Sequence, residues 1–428
     1  MNFGFCHNQF FMPNIGFGGK NLMNNMFNKM NYIKGIKNYR SQMESSFANS
    51  VLQSLSCLDC IKQWHNQLSQ LYFLQMNNYP SLTKQFFILL NYLYSGNLTD
   101  SFNINSQFNF EFSKLYNNKI MKNDPFHFLY YFLDLLHYEN NYIIDPNFNM
   151  QLLIIPSQNS MKNEFYMFNL YKNFFKLTQN SVISRNFYNI LKYETKCSNY
   201  VLNCSSLYFF FHNKIFKFEV EKYRQFRDEA DPFRKGMNIN LDDCFQCYTG
   251  GKKTQCKNCG NFDTDNFISL NFSNKVLIFA FKRNYHVFKC DIDFSTKINI
   301  ANYCCQNMNG TNNSIYNLKA CIGLNNFGKY FADVLMNGNW IRYIEDQCMI
   351  LYDYNQIHIF EPQILIYELE ESQNFQKMNQ NFFSNNCFLN NNNFITPLNQ
   401  FQVRQMIMQI GNFNVMLKNY NFTKDLTA

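Results

Sequence analysis

Residues 43–58 read MESSFANSVLQSLSCL and have the pattern of a helix with a capped start. Apolar residues recur at helical spacing at Phe47, Val51 and Leu55. A serine at position 45 or 46 can cap this helix, because its hydroxyl accepts hydrogen bonds from the N–H groups of the first turn. A cysteine there would have a lowered pKa at the positive end of the helix dipole and would suit nucleophilic chemistry. The sequence has Ser46 instead.

Composition and charge narrow the class of protein. The chain has 428 residues, 46% of them hydrophobic, which allows one large domain or two smaller ones. Its net charge of +8 is spread along the chain, so we expect contact with nucleic acid to be indirect at most. No apolar run is long enough for a spanning helix, so we expect no membrane association. The 15 cysteines, without a secretory signal, predict reduced thiols in the cytoplasm or nucleus.

The residue patterns divide the chain into four parts. Residues 1–30 lack periodicity and predict a flexible N-terminal arm, while residues 31–370 have a globular pattern. Helical patterns dominate this globular part to about residue 190, and strand patterns dominate afterwards. An Asn-rich linker follows over residues 371–399, and residues 400–428 predict a short amphipathic segment. Helices followed by antiparallel strands predict an α+β fold.

The longer segment GIKNYRSQMESSFANSVLQSL, residues 35–55, resembles the cysteine box of the ubiquitin-specific proteases. The matching positions are Gly35, Ile36 and Asn38 at its start and Phe47, Asn49, Ser50, Leu52, Gln53 and Leu55 at its end. About three extra residues lie between these two groups. The resemblance places the family's nucleophilic cysteine on Ser46. It places the loop that positions the oxyanion-stabilising group in the altered stretch YRSQMES, residues 39–45.

A second segment, NDPFHFLYYFLDLLHYE at residues 123–139, resembles the glutamine–aspartate helix of the same family. Asp124 can cap this helix, and Pro125 occupies the first position, where a missing N–H has no effect. The predicted apolar stripe consists of Phe126, Leu129, Leu133 and Leu136. His127 and His137 lie near carboxylates, but surface or helix-packing roles are the favoured explanation for both histidines.

A third segment, residues 239–284, resembles the passage from the fingers to the palm and contains a C-x-x-C knuckle at Cys256 and Cys259. Two thiolates in a tight turn can hold one zinc ion, which needs two more ligands. The family's second pair lies upstream, where Cys197 is present and Cys204 follows at a longer spacing. The resemblance thus allows one structural zinc bound by these four cysteines.

Two alternatives remain open for the cysteines. Cys244 and Cys247 form a second C-x-x-C pair, separated from Cys256 by a spacer that is short for a zinc site. The family comparison assigns this second pair to a short acidic helix rather than to the metal. The other alternative is that all of these cysteines are unligated thiols.

The fourth segment, residues 316–351, resembles the histidine box of the family. The matching positions are Tyr316, Leu318, Ala320, Gly328, Tyr330 and Trp340. The general-base histidine of the family falls on Lys329. The orienting acid falls on Ile344, one residue before Glu345.

The resemblance extends over residues 31–370 and implies the papain-like α+β fold of ubiquitin-specific proteases. The helical N-terminal half would supply the thumb, up to about residue 190, and an antiparallel-sheet C-terminal half would supply the fingers and palm. Because the three triad positions hold Ser46, Lys329 and Ile344, we expect no catalytic residues. The step Phe47-Ala48-Asn49 resembles the spliceosome-associated branch of inactive members.

These features predict a pseudo-deubiquitinase that acts as a binding or scaffold component of a larger complex. Ubiquitin or a ubiquitin-like protein is the expected ligand, together with other protein subunits. The first alternative is an active isopeptidase that uses a Ser46–Lys329 dyad, since serine–lysine pairs hydrolyse amides on other folds. The second alternative is a purely structural component of a large assembly.

Overall fold

The computed structural model describes most of the predicted globular part. The described residues are 36, 46–75, 81–95, 107–108, 111–112, 124–141, 164–197, 207–254, 259–260, 264–283, 291–304, 315–325, 327–359 and 361–370. The predicted arm, linker and C-terminal segment lie outside these ranges. Within the described ranges, no helix has both the length and the apolar character that a membrane crossing requires.

Helices form most of the first half of the described chain. They are α1 (Ser46–Ser56), α2 (Asp59–Gln75), α3 (Ser81–Ser95), α4 (Pro125–Asn140), α5 (Glu164–Thr178) and α6 (Val182–Phe187), followed by α7 (Val220–Ala230) and α8 (Leu241–Thr249) among the strands. The predicted helix start at Ser46 is confirmed. The helix ends at Ser56, before the predicted Leu58, because Cys57 and Leu58 form a turn that leads into α2.

Every residue of α1 is buried, including its serines. The Ser50 hydroxyl donates to the Phe47 carbonyl at 2.8 Å, and the Ser54 hydroxyl donates to the Ser50 carbonyl at 2.7 Å. These bonds satisfy the hydroxyls inside the protein, so a serine-rich helix can occupy the centre of the core.

The predicted start of α4 is confirmed. The Asp124 carboxylate accepts a hydrogen bond from the His127 N–H at 2.9 Å, and Pro125 is the first helical residue. The buried apolar face consists of Phe128, Leu129, Phe132, Leu133 and Leu136. Phe126, at the edge of the predicted stripe, is half-buried and packs against the first core, with the Lys217 ammonium 5.1 Å from its ring centroid.

Strands form most of the second half. They are β1 (Asn189–Cys197), β2 (Leu207–Asn213), β3 (Phe216–Glu219), β4 (Ile239–Asn240), β5 (Lys252–Thr254), β6 (Thr264–Phe272), β7 (Val276–Lys282), β8 (Ile292–Asp293), β9 (Lys297–Asn299), β10 (Ile315–Leu324), β11 (Tyr330–Met336), β12 (Asn339–Ile344), β13 (Gln347–Leu351) and β14 (Pro362–Leu369). The order of helices and strands confirms the predicted α+β class.

The large sheet has the strand order β13-β12-β11-β10-β14-β7-β3, with β9 added beside β10. Its pairings are antiparallel except for the parallel pair β3 and β7. A smaller antiparallel sheet has the order β2-β1-β6-β5. A short parallel pair, β4 and β8, lies apart from both sheets.

The large sheet is buried on both faces, which explains why its central strands are almost continuously apolar. Along β14, Ile364 and Ile366 face the core that contains α1, whereas Leu365 and Tyr367 face a second core. This alternation follows from the two-residue period of a strand. The first core clamps α1 between α4 and the sheet, and it thereby fixes the position of Ser46.

Candidate active site

Ser46, the predicted successor of the nucleophile, begins α1 and lies against the start of β11. Its hydroxyl oxygen accepts a hydrogen bond from the backbone N–H of Tyr330 at 3.3 Å. Only 2% of Ser46 is exposed. The expected juxtaposition of Ser46 with the segment around Lys329 is therefore present, although the serine hydroxyl is buried.

A tight turn holds Lys329 at the start of β11. The Asn325 side-chain oxygen accepts hydrogen bonds from the N–H groups of Phe327 at 3.0 Å and Lys329 at 2.9 Å. The backbone N–H of Asn325 also donates to the Lys329 carbonyl at 2.9 Å. Gly328 has a φ of +75°, a conformation that glycine adopts without strain. This turn fixes the backbone of Lys329 beside Ser46.

The Lys329 ammonium is paired with a carboxylate. Its Nζ lies 2.7 Å from Oε1 of Glu345, and 44% of the lysine side chain is exposed. A lysine ammonium has three donors and no lone pair, so it cannot accept a proton. The position to which the resemblance assigns the family's base therefore holds a hydrogen-bonded lysine ammonium.

Ile344, the predicted successor of the orienting acid, ends β12 and pairs with Gln347 of β13. The carboxylate that contacts residue 329 belongs to the next residue, Glu345. The family match assigns the position of the orienting acid to Ile344, and Glu345 is its neighbour in sequence. Only the bend of the β12–β13 turn reveals which of the two side chains reaches Lys329.

The segment before Ser46 is described at one residue only. The Asn49 side-chain amide donates to the Ile36 carbonyl at 3.1 Å, which ties the matching start of the box to α1. The altered stretch at residues 39–45 lies outside the described residues, and the prediction about its oxyanion role stays a prediction.

Two other cysteines lie near α1. Cys57 and Cys60 are buried, and burial raises the pKa of Cys57 to about 12. Burial likewise raises the pKa of Cys60 well above its usual value. Since the thiolate is the reactive form, these thiols are poor substitutes for a catalytic cysteine.

The two histidines of α4 make local contacts. His127 Nδ1 contacts the Asp124 carboxylate at the start of the helix. His137 is buried, with one ring nitrogen 2.7 Å from Ser181 Oγ and the other 2.7 Å from Gln179 Oε1. Burial lowers the pKa of His137 to about 4, so this ring is neutral at physiological pH.

Two of the four predicted zinc ligands, Cys197 and Cys259, are among the described residues, and they lie close together at one end of the smaller sheet. Cys197 ends β1, and its Sγ lies 3.5 Å from Sγ of Cys259. Two sulfurs that share a zinc at about 2.3 Å in a tetrahedron would lie about 3.8 Å apart, so the described pair fits a metal site. Cys204 and Cys256 lie outside the described residues. In the part of the chain that the structure describes, no group of three or more metal-ligating side chains converges.

The alternative cysteine pair lies on α8. Cys244 is buried in the second core, and Cys247 Sγ donates to the Tyr223 carbonyl at 3.6 Å. Burial raises the pKa of Cys247 to about 11. These surroundings favour neutral thiols over metal ligands.

The sequence matches the family model described as ubiquitin carboxyl-terminal hydrolase over residues 35–367. This match spans the helices around Ser46, the smaller sheet and nearly all of the large sheet. A search of the curated proteins found no match.

Solved structures match the fold at low sequence identity. One is the SAGA DUB module Ubp8/Sgf11/Sus1/Sgf73 bound to monoubiquitin, with a TM-score of 0.56 and 14% identity over 84% of this chain and 77% of the other. The same module bound to ubiquitin aldehyde matches with a TM-score of 0.56 and 15% identity over the same shares. A structure of the yeast SAGA DUB module matches with a TM-score of 0.54 and 15% identity, over 84% of this chain and 76% of the other. At such identities the likeness shows a shared fold.

Proposed function

This chain belongs to the ubiquitin carboxyl-terminal hydrolase family, and we propose that it is a non-catalytic member that binds ubiquitin within a larger protein complex. Its papain-like α+β fold is that of the ubiquitin-specific proteases. In this proposal the fold is kept for binding, while Ser46, Lys329 and Ile344 occupy the three triad positions.

The Lys329–Glu345 ion pair carries the proposal. A thiol or hydroxyl nucleophile needs a neighbouring base to take its proton. At 2.7 Å, Glu345 stabilises the charged form of the lysine, and the side chain is too exposed for burial to outweigh that effect. The residue at the base position is thus kept in the form that cannot act as a base.

The state of Ser46 supports the same conclusion. Serine is a weaker nucleophile than cysteine and depends more strongly on activation. The Ser46 oxygen already accepts the Tyr330 N–H, and the residue is nearly inaccessible to solvent. A substrate carbonyl would therefore have to displace residues that cover Ser46 before it reached this oxygen.

The alternative Ser46–Lys329 dyad requires a neutral lysine. Burial away from other charges is what lowers a lysine pKa in such enzymes. Lys329 is almost half exposed and is paired with Glu345, so it is neither fully buried nor away from other charges. We place the dyad second for this reason.

Two observations support a binding function. The chain retains the family fold, and solved proteins of similar fold are found in complexes with other proteins. The solved structures of similar fold are complexes of several subunits, two of them with monoubiquitin or ubiquitin aldehyde. Those ligands and subunits belong to those proteins. For this chain we propose ubiquitin or a ubiquitin-like protein as ligand and further protein subunits as partners.

Hydrolysis and binding should be measured on the same purified chain. We expect no release of fluorophore from a ubiquitin C-terminal amide above the rate of the Ser46→Ala variant. We expect ubiquitin to bind both proteins with the same affinity in titration calorimetry, because Ser46 is not part of the accessible surface.

Each other outcome selects a different function. Hydrolysis that disappears in both Ser46→Ala and Lys329→Met would establish the dyad enzyme. Absence of both hydrolysis and ubiquitin binding would favour the purely structural component.

A further inference from the structure

Exposed apolar side chains are concentrated on α7 and the 3₁₀ turn at Pro232–Arg234 that follows it. Among the large hydrophobic side chains of the described residues, Phe233 is the most exposed, at 92%, while Phe226 and Met237 are 50% and 55% exposed. Ala230, one turn after Phe226 on the same helix face, is exposed as well. Single exposed apolar residues are common on proteins, but a group of them on one short segment is typical of a contact surface. We call these four residues the Phe233 surface.

Polar contacts fix the backbone that carries the Phe233 surface. The Arg227 guanidinium donates to three backbone carbonyls at 2.6–3.1 Å, those of Arg234, Met237 and Asn238. Arg234 in turn donates to both carboxylate oxygens of Asp243 on α8, at 2.7 and 2.8 Å. This network holds the turn against α7, so the exposed side chains are carried by a fixed backbone.

The C-terminal segment of the sequence contains an apolar stripe that suits such a surface. Its residues 401–410 read FQVRQMIMQI, and apolar residues recur at the spacing of one helix face at Val403, Met406, Ile407 and Ile410. A helix this short is only marginally stable in water by itself, so it needs an apolar surface to pack against. The stripe would extend over about 10 Å, since a helix rises 1.5 Å per residue.

The last described strand ends within reach of the Phe233 surface. β10 pairs with both β9 and β14 around Tyr316, so the end of β14 lies about 10 Å from β9. β9 follows shortly after β8, and β8 pairs with β4, which begins two residues after Met237. These steps place Glu370 within about 35 Å of Met237. The linker at residues 371–399 can extend to about 95 Å, which is more than enough to connect the two parts.

We infer that residues 401–410 form an amphipathic helix that packs on the Phe233 surface of the same chain. The contact is intramolecular, and it covers Phe233 and Met237. Attachment through the linker gives the segment a local concentration of up to about millimolar order, which favours it over a free competitor. This contact goes beyond the proposed function, because it involves neither Ser46 nor Lys329.

Methionine-methyl NMR on the full chain tests the contact from the side of the surface. The protein is labelled with ¹³C at its methionine methyl groups, and the signals of Met237 and Met349 are assigned by replacing each with leucine. Ile407→Ala should shift the Met237 signal, because it removes part of the covering stripe. The Met349 signal, from a side chain of similar exposure on β13, should not move. Gln405→Ala, on the opposite helix face, is the matched control and should leave both signals in place.

The reverse experiment tests the contact from the side of the segment. Phe233→Ala should shift the Met406 signal, and its replacement should leave the fold intact because the ring is almost fully exposed. Tyr352→Ala, which removes an exposed ring beside β13, is the matched control and should not shift this signal. Both shifts should be the same at low and high protein concentration, since an intramolecular contact does not depend on concentration.

Three results would overturn the inference. An unchanged Met237 signal in Ile407→Ala would show that the segment does not cover the surface. Shifts that disappear on dilution would assign the Phe233 surface to a second copy of the chain. A shift of the Met237 signal on addition of ubiquitin, without any effect of Ile407→Ala, would assign this surface to ubiquitin.

The NMR readouts on the isolated chain require neither turnover nor bound ubiquitin. The inference can therefore fail while the proposed function stands. Hydrolysis by the unmodified chain would remove the proposed function and leave the contact of the segment with the Phe233 surface to be judged by the methionine signals.

Discussion

His137 shows how burial sets the protonation state of a single residue. Its two ring nitrogens contact Ser181 and Gln179, and the side chain is almost completely enclosed. The imidazole of the unfolded chain has an ordinary pKa near 6.5, whereas burial lowers the folded value to about 4. Between these two values the unfolded state binds more protons, so acid favours unfolding.

We therefore expect the free energy of unfolding to fall by up to about 3 kcal/mol from this residue as the pH decreases from about 6.5 to 4. His137→Gln keeps a hydrogen-bonding side chain without the titration. Urea unfolding of both proteins at several pH values should give a shallower pH dependence for the variant. Parallel curves for the two proteins would show that His137 does not carry the effect.

Asp333 and Arg342 form a buried pair across β11 and β12. Two guanidinium nitrogens each lie 2.7 Å from a carboxylate oxygen, and a third bond runs from Arg342 to the Gln356 carbonyl at 2.9 Å. Burial raises the pKa of Asp333 to about 6, while the guanidinium acts to lower it. Together these bonds connect β11 and β12 of the large sheet to the 3₁₀ turn at Tyr354–Ile359.

Arg342→Met should lower the free energy of unfolding by about 3–5 kcal/mol at pH 8, because it leaves the Asp333 carboxylate buried without its partner. The matched control is Lys62→Ala, which removes the exposed pair with Asp59 and should cost less than about 1 kcal/mol. Chemical denaturation measures the free energy of unfolding of both variants. Equal losses in the two variants would contradict the importance of burial.

At the scale of elements, the end of β1 and the turn before β6 bring two distant cysteines together. Cys197 and Cys259 are 62 positions apart in sequence, and their sulfurs lie 3.5 Å apart. We propose that they share one structural zinc with Cys204 and Cys256, which would join the two strands at their ends. A bound zinc supplies folding free energy because the unfolded chain lacks the assembled site.

Metal analysis of protein purified without chelators should find about one zinc per chain, since one tetrahedral site takes four thiolates. Cys259→Ser should lower this content and destabilise the smaller sheet. Cys348→Ser, on β13, is the matched control and should retain the metal. Unligated thiols would be indicated if the unmodified protein contained no zinc.

At the scale of the whole molecule, Glu368 joins the N-terminal helices to the last strand. Its two carboxylate oxygens accept the backbone N–H groups of Asp59 and Cys60, each at 3.0 Å, at the start of α2. Burial raises the pKa of Glu368, while these N–H groups and Lys319 counteract that effect. One carboxylate on β14 thus caps a helix 309 positions earlier in sequence.

Glu368→Ala should lower the free energy of unfolding by about 2–4 kcal/mol, because it leaves two N–H groups at a buried helix start without their acceptor. Glu368→Gln retains one acceptor oxygen and should lose less. Thermal unfolding of the unmodified chain should be a single transition, since the Glu368 contact joins the two halves of the fold. Separate transitions for helices and sheet would contradict this linking role.

The architecture could be predicted from the sequence because the patterns that indicate helices and strands are local or periodic. The cap at Asp124, the proline that follows it and the spacing of Phe47, Val51 and Leu55 each depend on neighbouring residues. The apolar runs of β7 and β14 are likewise a local pattern, which is typical of strands buried on both faces. The order of such elements, with the motif matches, predicted the α+β fold and the location of Ser46 and Lys329.

The sequence alone therefore determined that the fold is that of a ubiquitin-specific protease, and it predicts that Ser46, Lys329 and Ile344 occupy the triad positions. It could not determine that Glu345 contacts Lys329, because that contact depends on the course of the turn between β12 and β13. It also could not show that Ser46 is enclosed or that Cys197 meets Cys259. These facts depend on side-chain directions and on contacts between residues far apart in sequence, which only the packed tertiary structure decides.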